Sequence, residues 1–198
     1  MTHEYRLNIE DIFWRTAEEN WQKAQEDISE LHESVWDENG EEQTVAFDGF
    51  WGEALAQVSI AVVSWAISLE ATINLAWQAS IYPILPQEGD IPKILLQKLS
   101  SIEKLREILR ASQVNIGKLS WWEGTQELFR CRNKIVHCDP RVKLYGSCAP
   151  PEIKKDLRKD NVQSMREAAT AAIRKLGELN GNLRIGFLDG EYELEIAG

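Results

Sequence analysis

Apolar residues recur at steps of three and four from early in the chain: Ile9, Phe13, Ala17, Trp21, Ala24, Ile28, Leu31 and Val35. That spacing puts them on one stripe and predicts an amphipathic helix over roughly 9–36. The acidic run Asp37-Glu38-Asn39-Gly40-Glu41-Glu42 then reads as a solvated loop. From about Phe50 to Ile81 the pattern changes, and apolar residues lie nearly all round the helix. Val58, Ile60, Val62, Val63, Trp65, Ile67, Leu69, Ile73, Leu75 and Trp77 leave no polar face. Such a helix belongs at the centre of a bundle or in a membrane. The uncharged stretch before Glu70, residues 54–69, has 16 residues. That is short of the ~20 needed to span a bilayer. Ser59, Ser64, Ser68, Thr72 and Asn74 also stud the segment, so a bundle helix is expected and no membrane.

A third helix is expected over about 92–110, with Pro92 in its first turn and Asp90 as its cap. Ser120 followed three residues later by Glu123 has the form of a capping box and opens a fourth, about 121–138. Pro140, Gly146, Pro150 and Pro151 mark a loop. Val162, Met165, Ala169, Ala172, Ile173, Leu176 and Leu179 mark a last helix, about 160–179, stopped at Asn180-Gly181. The tail shifts to alternation. Leu183 to Leu188, a turn at Asp189-Gly190, then Tyr192, Leu194 and Ile196 predict a β-hairpin. The expected fold class is therefore all-α, an up-down helical bundle of about five helices with a small C-terminal β-hairpin. Its parts are an N-terminal helix and acidic loop over 1–45, the bundle over 46–181 and the hairpin over 182–198.

Composition refines this picture. The chain has 198 residues, 43% of them hydrophobic and 27% charged, which suits one globular domain with a small appendage. Met1-Thr2-His3-Glu4 is not a basic, apolar leader, so a cytoplasmic location is expected. Three cysteines without CxxC spacing argue for small core residues in a reducing compartment, and against zinc. Net charge is −10, which disfavours broad electrostatic binding of nucleic acid. The sign reverses locally. Between Arg130 and Lys143 five cations (Arg130, Arg132, Lys134, Arg141 and Lys143) face one acid, Asp139, a net +4. A basic island on an acidic chain suits a small phosphate site better than a long groove.

The island contains Arg132-Asn133-Lys134-Ile135-Val136-His137. At ~100° per residue, Leu128, Cys131, Ile135, Val136, Phe129 and Cys138 define an apolar arc. Arg132 falls inside that arc, and His137 lies about 140° away on the polar side with Asn133, Arg130 and Lys134. A guanidinium in an apolar arc needs an acceptor. The central helix offers one charged candidate, Glu70, itself surrounded by apolar residues. Two readings fit a Glu70–Arg132 pair: a salt bridge that sets helix register, or a carboxylate that orients an arginine whose other donors face a phosphate. Asn133 shares a face with His137 and either steadies the imidazole or is an ordinary surface residue. Trp121-Trp122 suits base stacking or, more simply, packing.

Arg-Asn-x-x-x-His closing a late helix of a helical chain resembles the HEPN superfamily (higher eukaryote and prokaryote nucleotide-binding domains). The similarity runs over about 50–180 and includes Ser68-Leu69-Glu70-Ala71. Many members are metal-independent ribonucleases whose Arg-x(4–6)-His motif supplies the catalytic groups, usually from two subunits. The resemblance implies Arg132 and His137 as catalytic residues and Asn133 and Glu70 in support. Arg130, Lys134 and Arg141 are the candidate phosphate contacts. It implies no metal and no cofactor, with RNA but not DNA as substrate, a homodimer, and an antitoxin protein as a further partner. In one toxin subfamily a tyrosine two residues after the histidine is modified by a partner nucleotidyltransferase. Asp139 stands there in this chain, which departs from that pairing. Other members are non-catalytic dimerisation or nucleotide-binding modules, and the motif fits that role as well.

Overall fold

The computed structural model describes residues 8–81, 98–137, 151–183 and 185–190. Helix α1 (Ile9–Glu26) buries Trp14, Ala17, Trp21 and Ala24, one helical stripe. The stripe is offset from the expected one, since Ile9 is half-exposed. α1 lies along α2 (Gly52–Ser80), the 29-residue central helix. Trp65, Leu69 and Ile73 on α2 are fully buried. Trp21 meets the Trp65 ring edge-on at 5.9 Å and the Phe50 ring at 5.7 Å. By length and composition α2 could cross a membrane, but most of its apolar residues face α1 and the later helices.

The bundle continues with α3 (Ser101–Ala111), a 3-10 turn at Ile116–Lys118, α4 (Trp122–Val136), the short α5 (Pro151–Asp156) and α6 (Lys159–Leu179). α3 starts at a capping box, Ser100 with Glu103, where hydrogen bonds to the serine hold the Glu103 carboxyl below its usual range. The box expected at Ser120 is absent, and α4 begins after Trp121 with no side-chain cap. The segment expected to carry the start of α3, residues 91–97, lies outside the described residues.

Two contacts orient these helices. Ser101 and Lys104 reach Glu70 and Asn74, so α3 runs in the same direction as α2 and not opposite to it, as the expected up-down order required. Arg106 stacks over Trp122 at 5.9 Å, while Arg132 reaches back to Glu70, so α4 runs antiparallel to α2. α4 also crosses α6 closely: a Cβ on Gly124 would lie 2.7 Å from that of Ala168.

The expected all-α class with a C-terminal hairpin is wrong. Residues 29–49 form a two-stranded antiparallel sheet, β1 (Ser29–Trp36) and β2 (Glu42–Gly49), in the register Leu31↔Phe47 and Trp36↔Glu42. The helix expected to reach residue 36 stops at Glu26. The acidic loop is a specific turn. The Asp37 carboxylate accepts from the Asn39 and Glu41 amides and from Gln43 Nε2, and Gly40 takes φ +76. That left-handed geometry favours glycine. With Val45 and Phe47 available as strand partners, pairing across the turn wins over one more stretch of helix. At its base the ribbon is tied to α6 by Arg158 over the Phe47 ring at 4.2 Å and by Lys159 to Asp48 at 3.6 Å.

At the other end, the first expected strand is a 3-10 turn at Gly186–Asp189. Phe187 is buried there, 6.1 Å from the Trp14 ring of α1. An aromatic pocket on a distant helix thus overrides local alternation. The second expected strand, residues 191–198, lies outside the described residues.

Candidate functional site

The RNKIVH segment closes α4. Leu128, Phe129 and Cys131 anchor this end of the helix in the core. Burial pushes the Cys131 thiol up to about 12, so this cysteine is a packing residue. Val136, expected within the apolar arc, is 52% exposed because the helix ends beside it.

Arg132 leaves the packed face one turn earlier. Its Nη2 donates to Glu70 Oε2 at 3.4 Å and its Nη1 to Asn133 Oδ1 at 2.9 Å. Glu70 accepts a further bond from Ser101 Oγ at 2.7 Å. The Arg132 and Glu70 side chains are 28% and 36% exposed, so the pair sits at the rim of the core, open to solvent on one side. Two of the five guanidinium donors are engaged by these bonds, and Nε is enclosed with no partner among the described residues. The outward donors on Nη1 and Nη2 can take an anion. Asn133, expected either to steady His137 or to be an ordinary surface residue, accepts from Arg132 through its Oδ1.

His137 is the C-cap of α4. Its backbone amide donates to Asn133 O at 2.9 Å, and its side chain is exposed and makes no hydrogen bond among the described residues. Arg132 and His137 are thus near neighbours at one helix end but are not brought onto one face.

The candidate phosphate contacts sit differently. Arg130 pairs with Glu127 through both carboxylate oxygens, which raises the pKa of its guanidinium above the usual range. Its Nη2 also lies 3.8 Å from Asp156 Oδ1. Lys134 Nζ donates to Asp156 Oδ2 at 2.5 Å. Arg141 lies outside the described residues, as do Cys138 and Asp139. Glu127 and Asp156, on α4 and α5, therefore offset the charges of Arg130 and Lys134 between them. The Glu127–Arg130 spacing of three on one helix was a visible local signal. Asp156 had none, being 22 residues from Lys134 and brought there by the chain reversal into α5. Trp121 and Trp122 pack against each other, 6.4 Å apart and half-buried. No cluster of His, Cys, Asp and Glu suited to a metal occurs among the described residues.

No family model, curated protein or solved structure matches the chain.

Proposed function

We propose that the chain is a metal-independent endoribonuclease of the HEPN kind, acting as a homodimer in a toxin–antitoxin or defence setting in the cytoplasm. One observation carries this reading. Arg132 is held by Glu70 and Asn133 at the solvent edge, with donors left over, beside an exposed His137 at the same helix end. A pre-oriented guanidinium stabilises charge growing on phosphate oxygens at little reorganisation cost. An exposed imidazole within reach of the reacting groups can act in proton transfer. In the reaction a ribose 2′-oxygen attacks the adjacent phosphorus and the bond to the 5′-oxygen breaks. The imidazole handles the proton, which ends on the leaving 5′-oxygen. The products are a 2′,3′-cyclic phosphate and a 5′-hydroxyl, and DNA, lacking the nucleophile, is not cut. The second copy supplies the Arg or His that a single helix end holds on divergent faces.

A second reading rests on Asp156. Together with Glu127 it offsets Arg130 and Lys134 and leaves little free positive charge around Arg132, which suits a non-catalytic dimerisation or nucleotide-binding module. RNA cleavage in the presence of a chelator distinguishes the two. Wild type should cut, Arg132→Ala and His137→Ala should not, and the His137 variant should melt like wild type because its side chain is exposed. Undiminished cleavage by His137→Ala, or cleavage that requires magnesium, would transfer the conclusion to the binding module.

A further inference from the structure

The solvent side of α2 carries an apolar stripe that no described element covers. Ala56 and Ile60 are exposed, Ile60 by 46%, and Val63, Ile67 and Ala71 are half-buried. These positions fall within an arc of about 80° and run for about 22 Å along the helix. Between Glu53 and Glu70 the helix has no charge.

The order of side chains along the stripe is a palindrome: Ala, Ile, Val, Ile, Ala. We propose that it is a self-association surface, where two copies pair α2 against α2, antiparallel, about a two-fold axis at the level of Val63.

Three observations favour a second copy over other occupants. In that register Ile60 meets Ile67 of the other copy and Ala56 meets Ala71, so large faces large, and the small ends let the helices close. A two-fold interface requires this kind of self-complementarity. The flanks also match. Glu53 falls opposite Asn74, which holds the Lys104 ammonium at 2.7 Å, and Glu70 falls opposite Gln57, so no like charges meet. Finally, a chain of net charge −10 repels its copy over most of its surface, and this uncharged strip offers an approach.

The pairing deepens the dimer in the ribonuclease reading and rests on it only for its use. α4 runs antiparallel to α2 from the level of Arg132 and Glu70. His137, about 7.5 Å further along, therefore comes near the level of Trp65, close to the axis. The two exposed histidines would then flank the same two-fold.

Light scattering at micromolar concentration tests the surface. Wild type should be a dimer, and Ile60→Glu should halve the apparent mass while leaving the circular dichroism unchanged, since Ile60 is outside the core of the single chain; its melting temperature should fall only by the lost association and no longer depend on concentration. Val63→Cys should give a thiol-reversible dimer on oxidation, above the parent that carries Cys131, Cys138 and Cys148, whereas Ala56→Cys should not. A monomeric wild type, a dimer that survives Ile60→Glu, or equal cross-linking at both positions would overturn the proposal. Pelleting of a monomeric wild type with phosphatidylcholine vesicles would do so too, by assigning the stripe to a lipid surface. RNA cleavage assayed on the same samples separates the two ideas. A dimer that does not cut RNA sinks the nuclease and keeps the interface, whereas a monomer that cuts sinks both the interface and the two-subunit site and keeps only the cleavage chemistry.

Discussion

Arg132 and Glu70 show how far a single residue could be read in advance. Each is a lone charge in an apolar stretch, and burial without a partner is costly, so their pairing followed from the sequence alone. Their depth did not. With the two side chains 28% and 36% exposed, water screens the pair, and it falls in the range of surface ion pairs. Glu70→Gln should therefore lower stability by about 1 kcal/mol or less, not the ~3–5 kcal/mol of a buried pair broken on one side. A urea titration measures it. A loss well above that range would show that the rim closes over the pair in solution. Asp156 is the opposite case. No local pattern marks it as the acid that meets Arg130 and Lys134, because the contact is made by the turn of the chain into α5.

At the scale of elements, helices with strong periodicity were legible and their ends less so. Residues 28–36 place Ile28, Leu31 and Val35 at helical spacing, yet β1 uses Leu31 opposite Phe47 instead. The deciding group is Asp37, whose carboxylate gathers two backbone amides and so fixes the turn. The hydrogen bond from the Glu41 amide holds that carboxyl below its usual range. A depressed carboxyl stabilises the folded turn above its ordinary titration range and loses that effect as pH falls through the lowered value. The ribbon should therefore hold through mildly acidic pH and loosen only in strong acid. Asp37→Ala should let the Asn39 and Glu41 amides exchange at nearly free-peptide rates at neutral pH, read by hydrogen exchange with α2 as the protected reference. Persistent protection in that variant would show that the turn depends on Gly40 alone.

Across the whole molecule, α1, α2 and α6 are joined by one polar node at the edge of the core, with the Arg166 and Glu18 side chains 33% and 24% exposed. Glu18 accepts from the Trp65 indole at 2.9 Å and from Arg166 at 2.7 and 2.9 Å. That bonding raises the pKa of the Arg166 guanidinium above its usual range. Solvent reaches this pair as it reaches Arg132 and Glu70, so Arg166→Ala should destabilise the fold by about 1 kcal/mol and alter the Trp65 signal in near-ultraviolet circular dichroism. An unchanged denaturation midpoint would mean that the helices hold their places by apolar packing alone.

The order of the long helices, the central place of α2 and the Glu70–Arg132 pair followed from the sequence by itself. Each rests on a period within one helix or on a charge that an apolar surrounding cannot leave alone. The Asp37 turn and the pairing of Leu31 with Phe47 decided the sheet at 29–49. Tertiary structure alone decided the 3-10 turn that seats Phe187 on Trp14 and the contacts of Asp156 with Lys134 and Arg130. In these places the local preference was weak or divided, and a partner tens of residues away supplied the free energy that settled it.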